Sequence, residues 1–194
     1  MKLLSFDIGI HNLAYCCIES DTTTKEMSIV KWEVIDLREY GPSKDFMSTA
    51  STLVDLLHEM FYCNDEQYDY VLIENQPVQK NPTMKSIQMI VFTFFMMLKY
   101  HQNPSMQIKF QSASNKLKVN NKPSDLDICA STKYAKNKKM SIAIANHYLE
   151  NVLTNNRDMH TLFKSHKKRD DLADSMLQAV YFVENNLSSA TTRS

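Results

Sequence analysis

The first residues of the chain place a strong constraint on its fold. Leu3 to Ile8 is an apolar run that a single carboxylate, Asp7, interrupts, and Gly9 follows directly. Because strand residues alternate between two faces, Phe6 and Ile8 point to one side and Asp7 to the other. Burying an unpaired carboxylate is costly, so a bound cation, a basic partner or local hydrogen bonds must compensate it. A strand-end aspartate that bonds to the following turn is the simpler alternative.

Length and composition predict a globular domain with a sizeable core. The chain has 194 residues, of which 43% are hydrophobic and 23% charged, as in ordinary soluble proteins. We expect one domain over residues 1–187 and a frayed tail over residues 188–194. The longest apolar run, Ile87 to Leu98, is too short to cross a bilayer, so we expect no membrane contact.

The charges are divided unequally along the chain. Residues 1–79 hold 14 acidic and 5 basic side chains, whereas residues 80–194 hold 8 acidic and 17 basic ones. Such a division favours a polyanionic partner for the basic half, although solvated helix faces explain it equally well. The lysine-rich stretch 118–139 has little periodicity, and its role stays open.

Cysteine usage indicates a reducing compartment. Cys16, Cys17, Cys63 and Cys129 lack the paired spacing of a zinc site or a disulfide framework. We therefore expect an intracellular protein.

Hydrophobic periodicity predicts five strands and four long helices. The order β-β-β-α-β-α-β-α-α indicates an α/β fold with a mixed five-stranded sheet and helices on both faces. The predicted strands are Leu3 to Ile8, Leu13 to Ile18, Met27 to Ile35, Tyr70 to Ile73 and Met106 to Phe110. The predicted helices are Phe46 to Tyr62, Pro82 to Leu98, Met140 to Leu153 and Asp170 to Val183.

Further carboxylates lie where they could join Asp7. Glu74 closes the fourth strand, and ligand sites in α/β sheets favour strand ends. Asp171 and Asp174 are spaced to project from one helix face, whereas Asp170 and Asp171 could also simply cap the helix. A solvated strand-end glutamate is likewise the plainer interpretation of Glu74 alone.

These residues share one chemistry. Oxygen ligands without histidine or cysteine select hard cations such as Mg²⁺ or Mn²⁺. Two such ions can clamp the attacking water and the leaving oxygen in phosphodiester hydrolysis. Basic residues beside the acidic cluster fit a phosphate chain that runs past it: Lys167, Lys168 and Arg169.

Three segments resemble the motifs of RuvC-like Holliday junction resolvases, most closely the branch found in poxviruses and other large DNA viruses. They are Phe6 to Asn12, Leu72 to Pro77 and Lys168 to Ser175, in the family's order. The resemblance covers nearly the whole chain and implies a ribonuclease H-like fold. It also implies a Mg²⁺-dependent homodimeric endonuclease that cuts four-way DNA junctions in recombination or repair.

The resemblance also implies roles for individual residues. Asp7, Glu74, Asp171 and Asp174 would be catalytic and would bind two Mg²⁺ ions, with Mn²⁺ as a substitute and Asp170 as a less certain further ligand. Lys116 lies where relatives place a basic segment and is the leading candidate for a phosphate contact. The other candidates for DNA contacts are Lys118, Lys138, Lys139, Lys167, Lys168 and Arg169. A viral protein of this kind would act in the host cytoplasm or nucleus.

Other functions remain open at this point. A related nuclease acting on flaps or RNA–DNA hybrids would have the same active site. A non-catalytic nucleic-acid-binding module could retain the fold. An actin-like or sugar-kinase ATPase also uses Asp-x-Gly after its first strand, but it needs a duplicated domain and glycine-rich phosphate loops that two glycines cannot supply.

Overall fold

A mixed five-stranded sheet with helices on both faces forms the body of the protein, as predicted. The computed structural model describes residues 1–40, 45–64, 66–79, 81–123, 128–154 and 157–191. The strand order is β3-β2-β1-β4-β5. The strands are β1 Lys2–Asp7, β2 Asn12–Ser20, β3 Met27–Asp36, β4 Tyr70–Glu74 and β5 Gln107–Gln111.

The sheet combines two kinds of pairing. The first three strands form an antiparallel meander, in which β2 pairs with both β1 and β3. The strands β4 and β5 then add in parallel to β1, each after a helical crossover. Because β1 and β4 are parallel neighbours, both end at the same edge of the sheet.

Five α-helices lie among the described residues. They are α1 Phe46–Leu57, α2 Pro82–His101, α3 Lys133–Asn151, α4 Arg157–Ser165 and α5 Arg169–Thr191. A π-helical turn at His58–Tyr62 continues α1, and 3₁₀ turns occupy Leu37–Tyr40 and Lys116–Lys118. In the described part of the chain, no helix is both long and apolar enough to span a membrane.

Each face of the sheet has its own core. Phe6 and Phe61 pack with their ring centroids 5.8 Å apart in the core beneath α1 and α2. The opposite face is covered mainly by α3 and α5, and there Trp32 stacks on Phe163 of α4 at 5.2 Å. Phe6 lies in the core beneath α1 and α2, whereas Asp7 lines a cleft on the α5 side. This confirms that the two residues face opposite sides of the sheet.

Several helices differ from the prediction. The helix α3 begins at Lys133 rather than Met140, where the Thr132 side chain caps it by accepting from the Ala135 N–H at 3.1 Å. The added turns are lysine-rich and therefore show no apolar stripe. The helix α4 was not predicted, because only Phe163 is buried among its nine residues and the segment therefore shows little apolar pattern. The last helix also extends beyond Val183 to Thr191.

Candidate active site

Two strand ends bring the first pair of carboxylates together. Asp7 is the last residue of β1 and Glu74 the last residue of β4. The register pairs Phe6 with Ile73. Asp7 and Glu74 are the next residues of these two strands and therefore lie at the same edge of the sheet. Both side chains are largely buried, with exposed fractions of 17% for Asp7 and 9% for Glu74.

The helix α5 brings Asp171 and Asp174 to the same cleft. Two buried polar contacts fix this helix on the sheet. The Trp32 indole N–H donates to the Leu172 carbonyl at 3.0 Å, and the Gln178 amide donates to the Ser5 hydroxyl at 3.0 Å. Because these contacts lie on either side of Asp174 along the helix, they hold its carboxylate in register with the strand ends.

Gly9 shapes the turn beside Asp7. A Cβ atom at this position would lie 2.3 Å from the carbonyl oxygen of Asn12, which is far closer than two such atoms can approach. The absence of a side chain therefore lets the chain reverse tightly into β2. The turn residues from Ile8 to Asn12 line one wall of the cleft.

Lys116 lies at the centre of the acidic cluster. Its 3₁₀ turn follows β5 and directs the ammonium nitrogen to Asp174, to Oε1 of Glu74 at 3.3 Å and to Oδ1 of Asp7 at 3.9 Å. Only 16% of the lysine side chain is exposed. Three carboxylates thus converge on one buried cation.

The electrostatics follow from this crowding. Burial, and then the charge of Glu74, raises the pKa of Asp7 well above its usual value, although Lys116 opposes the shift. Burial likewise raises the pKa of Asp174 against the same opposing charge. Burial and the neighbouring Asp170 raise the pKa of Asp171. Burial alone would lower the pKa of Lys116, but Asp7, Asp174 and Glu74 raise it. The cluster therefore favours a bound cation or proton.

The donor set fits a hard cation. Oδ1 of Asp174 is buried and has no hydrogen-bond partner in the described part of the chain. The Ser141 hydroxyl, which lines the same cleft, donates to the Asn137 carbonyl at 3.1 Å instead. In the geometry described for these residues, no three His, Cys, Asp or Glu side chains form a ready metal group. The ammonium of Lys116 lies among these carboxylate oxygens, which are the type of ligand that Mg²⁺ prefers.

Asp170 lies apart from this cluster. Its carboxylate pairs with the ammonium of Lys138, and it does not line the cleft that holds Asp7, Glu74, Asp171 and Asp174. Burial opposes the shift, but Lys138 lowers the pKa of Asp170. Asp170 therefore serves as an ion-pair partner in this structure.

The candidate DNA-contacting residues are spread around the cleft. Lys138 lines it, whereas the exposed Lys118 donates to the Asn115 side chain at 3.1 Å. Lys139 donates to the Cys129 carbonyl at 3.1 Å. Lys167 and Lys168 line a neighbouring depression between α4 and β3, and Arg169 lies on another, together with Lys139. The structure thus brings Lys116 and Lys138 to the carboxylates but leaves the other basic residues on the surrounding surface.

The sequence alone did not single out two glutamines that lie near Glu74. The Gln76 amide donates to Oε2 of Glu74 at 2.6 Å, and the backbone N–H of Gln76 donates to Oε1 of Gln88 at 2.8 Å. Gln76 follows Glu74 at the two-residue spacing of one strand face, and Gln88 is a lone amide in an apolar helix. Both signals were present in the sequence, but only the fold shows that they meet.

Solved structures of the same fold include three groups of proteins. A fowlpox virus resolvase, solved with its substrate Holliday junction DNA, matches with a TM-score of 0.61 and 19% identity, over 96% of this chain and 99% of its own. The yeast mitochondrial Holliday junction resolvase Ydc2 gives 0.61 and 19%, over 96% of this chain and 80% of its own. RuvC of Thermus thermophilus, in complex with a Holliday junction substrate, gives a TM-score of 0.54 and 9% identity, over 96% of this chain and 97% of its own.

Sequence comparison gives closer relatives. Uncharacterized protein L451 of Acanthamoeba polyphaga mimivirus is 37% identical over 119 residues, which are 59% of this chain and 28% of that protein. The match therefore spans less than a third of that relative's length. A family profile described as Poxvirus A22 protein matches residues 1–186. This match confirms the poxvirus branch predicted from the three motifs, and the chain belongs to the Poxvirus A22 protein family.

Proposed function

We propose that this protein is a metal-dependent endodeoxyribonuclease that resolves four-way DNA junctions by paired phosphodiester hydrolysis. The observation that carries the proposal is the convergence of Asp7, Glu74 and Asp174 on one buried cation, the ammonium of Lys116. Burying several carboxylates together is costly unless a positive charge compensates them. Such an arrangement is typical of a site that binds cations for phosphodiester hydrolysis.

The relatives support the choice of substrate. The fowlpox virus resolvase and the RuvC protein were both solved with Holliday junctions, and their folds match this chain over almost its whole length. Membership of a poxvirus family supports a viral function in DNA recombination or repair. The described cysteines are free thiols, which supports action in a reducing compartment such as the host cytoplasm, or in the nucleus.

Four side chains would hold the metal: Asp7, Glu74, Asp171 and Asp174. We propose two Mg²⁺ ions, for which Mn²⁺ can substitute. When bound, they supply the positive charge that favours attack of water on the phosphodiester and departure of the 3′-oxygen. The protein contributes a fixed set of carboxylates on two strand ends and one helix, which limits the reorganisation required during the reaction.

Basic residues around the cleft would bind the DNA backbone. Lys116 places a positive charge inside the cleft, where a phosphate would enter. Lys138 lines the same cleft and is paired there with Asp170. The outer contacts in this proposal come from Lys118, Lys139, Lys167, Lys168 and Arg169. Because phosphate binding releases counterions, junction affinity should fall steeply as the salt concentration rises.

A homodimer would give paired cuts. Two copies related by a two-fold axis would present two clefts to opposite strands of a junction, and each cleft would cut one strand. The oligomeric state in solution tests this part of the proposal.

A substrate panel tests the proposed function. The protein is incubated with a synthetic four-way junction, a flap and an RNA–DNA hybrid, each with and without Mg²⁺. We expect symmetrical nicks in the junction only, and only with Mg²⁺. Equal cutting of the flap or the hybrid would replace the proposal with a related nuclease of the same fold. Binding without any cutting would indicate a non-catalytic nucleic-acid-binding module.

A further inference from the structure

The two oxygens of the Glu74 carboxylate have different neighbours. Oε1 faces the cluster and lies 3.3 Å from the Lys116 nitrogen. Oε2 accepts the hydrogen bond from Gln76, at 2.6 Å. Because an ionised carboxylate only accepts hydrogen bonds, the Gln76 amide must present its nitrogen to it. This contact fixes the rotation of the carboxylate and leaves Oε1 directed into the cleft.

The end of the strand places Gln76 for this contact. The Asn75 N–H donates to the Gln111 carbonyl at 2.7 Å, which extends the β4–β5 pairing by one residue beyond Glu74. Gln76 is therefore on the same side as Glu74 and is buried. Pro77 restricts the backbone of the preceding Gln76 to extended conformations.

Gln88 holds the backbone of Gln76. Its side chain is fully buried on the core side of α2, and its Oε1 accepts from the Gln76 N–H at 2.8 Å. The opposite amide orientation would place two donors against each other. The orientation found leaves Nε2 of Gln88 buried without a partner among the described residues. A polar group buried at this cost within an apolar helix face is expected where it supports a functional geometry.

We propose that Gln76 is a positioning residue for Glu74, and that Gln88 supports it from α2. Among the described residues, no hydrogen bond joins either glutamine to Asp7, Asp171 or Asp174. Together the two glutamines set the direction of the carboxylate oxygen of Glu74 that faces the cluster. The inference rests on the proposed function, because it assigns Glu74 a role in holding a metal ion. Partners that orient a metal ligand typically change metal affinity 10–100-fold when they are removed.

The test is metal binding by the purified protein without DNA. Mn²⁺ affinity is measured by calorimetry for the wild type, Gln76→Met and Gln76→Asn. Methionine keeps the length but has no donor, and asparagine keeps the amide but is one methylene too short. We expect both variants to bind Mn²⁺ about tenfold more weakly or worse. Gln107→Met, at an exposed position on β5, is the matched control and should bind like the wild type.

A second measurement separates positioning from a general loss of structure. The Mg²⁺ concentration that gives half-maximal junction cleavage should rise about tenfold in Gln76→Met. The cleavage rate should recover in part at saturating Mg²⁺, while metal-free junction binding stays unchanged. A misfolded variant would lose junction binding and would not recover with Mg²⁺; Gln76→Asn then decides the question by the same criteria.

The outcomes separate this inference from the proposed function. Wild-type Mn²⁺ affinity in a folded Gln76→Met protein would overturn the role of Gln76. A wild-type protein that binds Mn²⁺ but cuts no junction would overturn the proposed substrate, and the affinities of the variants would still decide the role of Gln76. A wild-type protein that binds no Mn²⁺ would overturn both.

Discussion

The ammonium nitrogen of Lys116 lies 3.3 Å from Oε1 of Glu74, inside the acidic cluster rather than on its rim. The same nitrogen contacts Asp174 and lies 3.9 Å from Asp7. Without a metal ion, this lysine supplies the positive charge that keeps the buried carboxylates together. The structure thus gives Lys116 a second task beside any contact with DNA.

Replacing Lys116 by methionine should destabilise the metal-free protein. Removing one partner from a buried ion pair leaves the other charges uncompensated, and we expect a loss of about 3–5 kcal/mol in the free energy of unfolding. Mg²⁺ should restore much of this loss, since the carboxylates are then free to bind it. Urea unfolding with and without Mg²⁺ measures both effects.

The matched control is Lys118→Met on the same 3₁₀ turn, where the side chain is exposed. It should leave the free energy of unfolding nearly unchanged. A metal-free Lys116→Met protein as stable as the wild type would contradict the view that the ammonium compensates the cluster.

Replacing Gly9 by alanine should strain the turn beside Asp7. The added Cβ would meet the backbone oxygen of Asn12 at 2.3 Å, and a backbone atom cannot rotate away as a side chain can. We expect a loss of about 1–3 kcal/mol, the range for an overpacked site. Thermal and urea unfolding measure it, with Thr22→Ala in the exposed β2–β3 turn as the control. Unchanged stability in Gly9→Ala would show that the turn has more room than its geometry indicates.

Glu66 should contribute stability that disappears in acid. Its carboxylate accepts from Lys31 at 2.7 Å and from Tyr68 at 2.8 Å, and Lys2 lies 3.4 Å away. Burial opposes the shift, but these partners lower the pKa of Glu66 from 4.5 to about 2. Because the folded pKa lies below the unfolded one, the stabilisation is complete above pH 4.5 and is lost as pH falls towards 2.

We therefore expect Glu66→Gln to lower the free energy of unfolding at pH 7 by about 1 kcal/mol, as for partly screened ion pairs. The difference from the wild type should shrink as pH falls below 4.5. Urea unfolding between pH 7 and pH 3.5 measures it, with the more exposed Glu19→Gln as the control. A difference that stays constant across this range would rule out a titrating Glu66 contact as its source.

Much of the site could be predicted from local pattern. Asp7 and Glu74 each end an apolar strand, and parallel strands bring such ends together whatever the details of packing. The spacing of Asp171 and Asp174 placed them on one helix face.

The remainder depends on contacts between distant parts of the chain. Lys116 was singled out only through the family resemblance, and nothing local predicts that its turn folds into the acidic cleft. The buried amide of Gln88 accepts from the Gln76 N–H only because the fold brings α2 next to the end of β4. The helix α4 has no wide apolar stripe in its sequence, and packing of Phe163 against Trp32 is its main contact with the core.

The most direct test of the central claim is the cleavage rate of a labelled four-way junction by the wild type and by Asp7→Asn, with Mg²⁺. We expect paired symmetrical nicks by the wild type and a rate lower by about 100-fold or more in Asp7→Asn, because a proposed metal ligand is lost; loss of an outer-shell partner alone typically costs about 10–100-fold. Junction binding should persist, because the lysines proposed to contact phosphate are unchanged. Asp55→Asn on α1 should cut normally. An Asp7→Asn protein that cuts junctions at the wild-type rate would contradict the assignment of the active site.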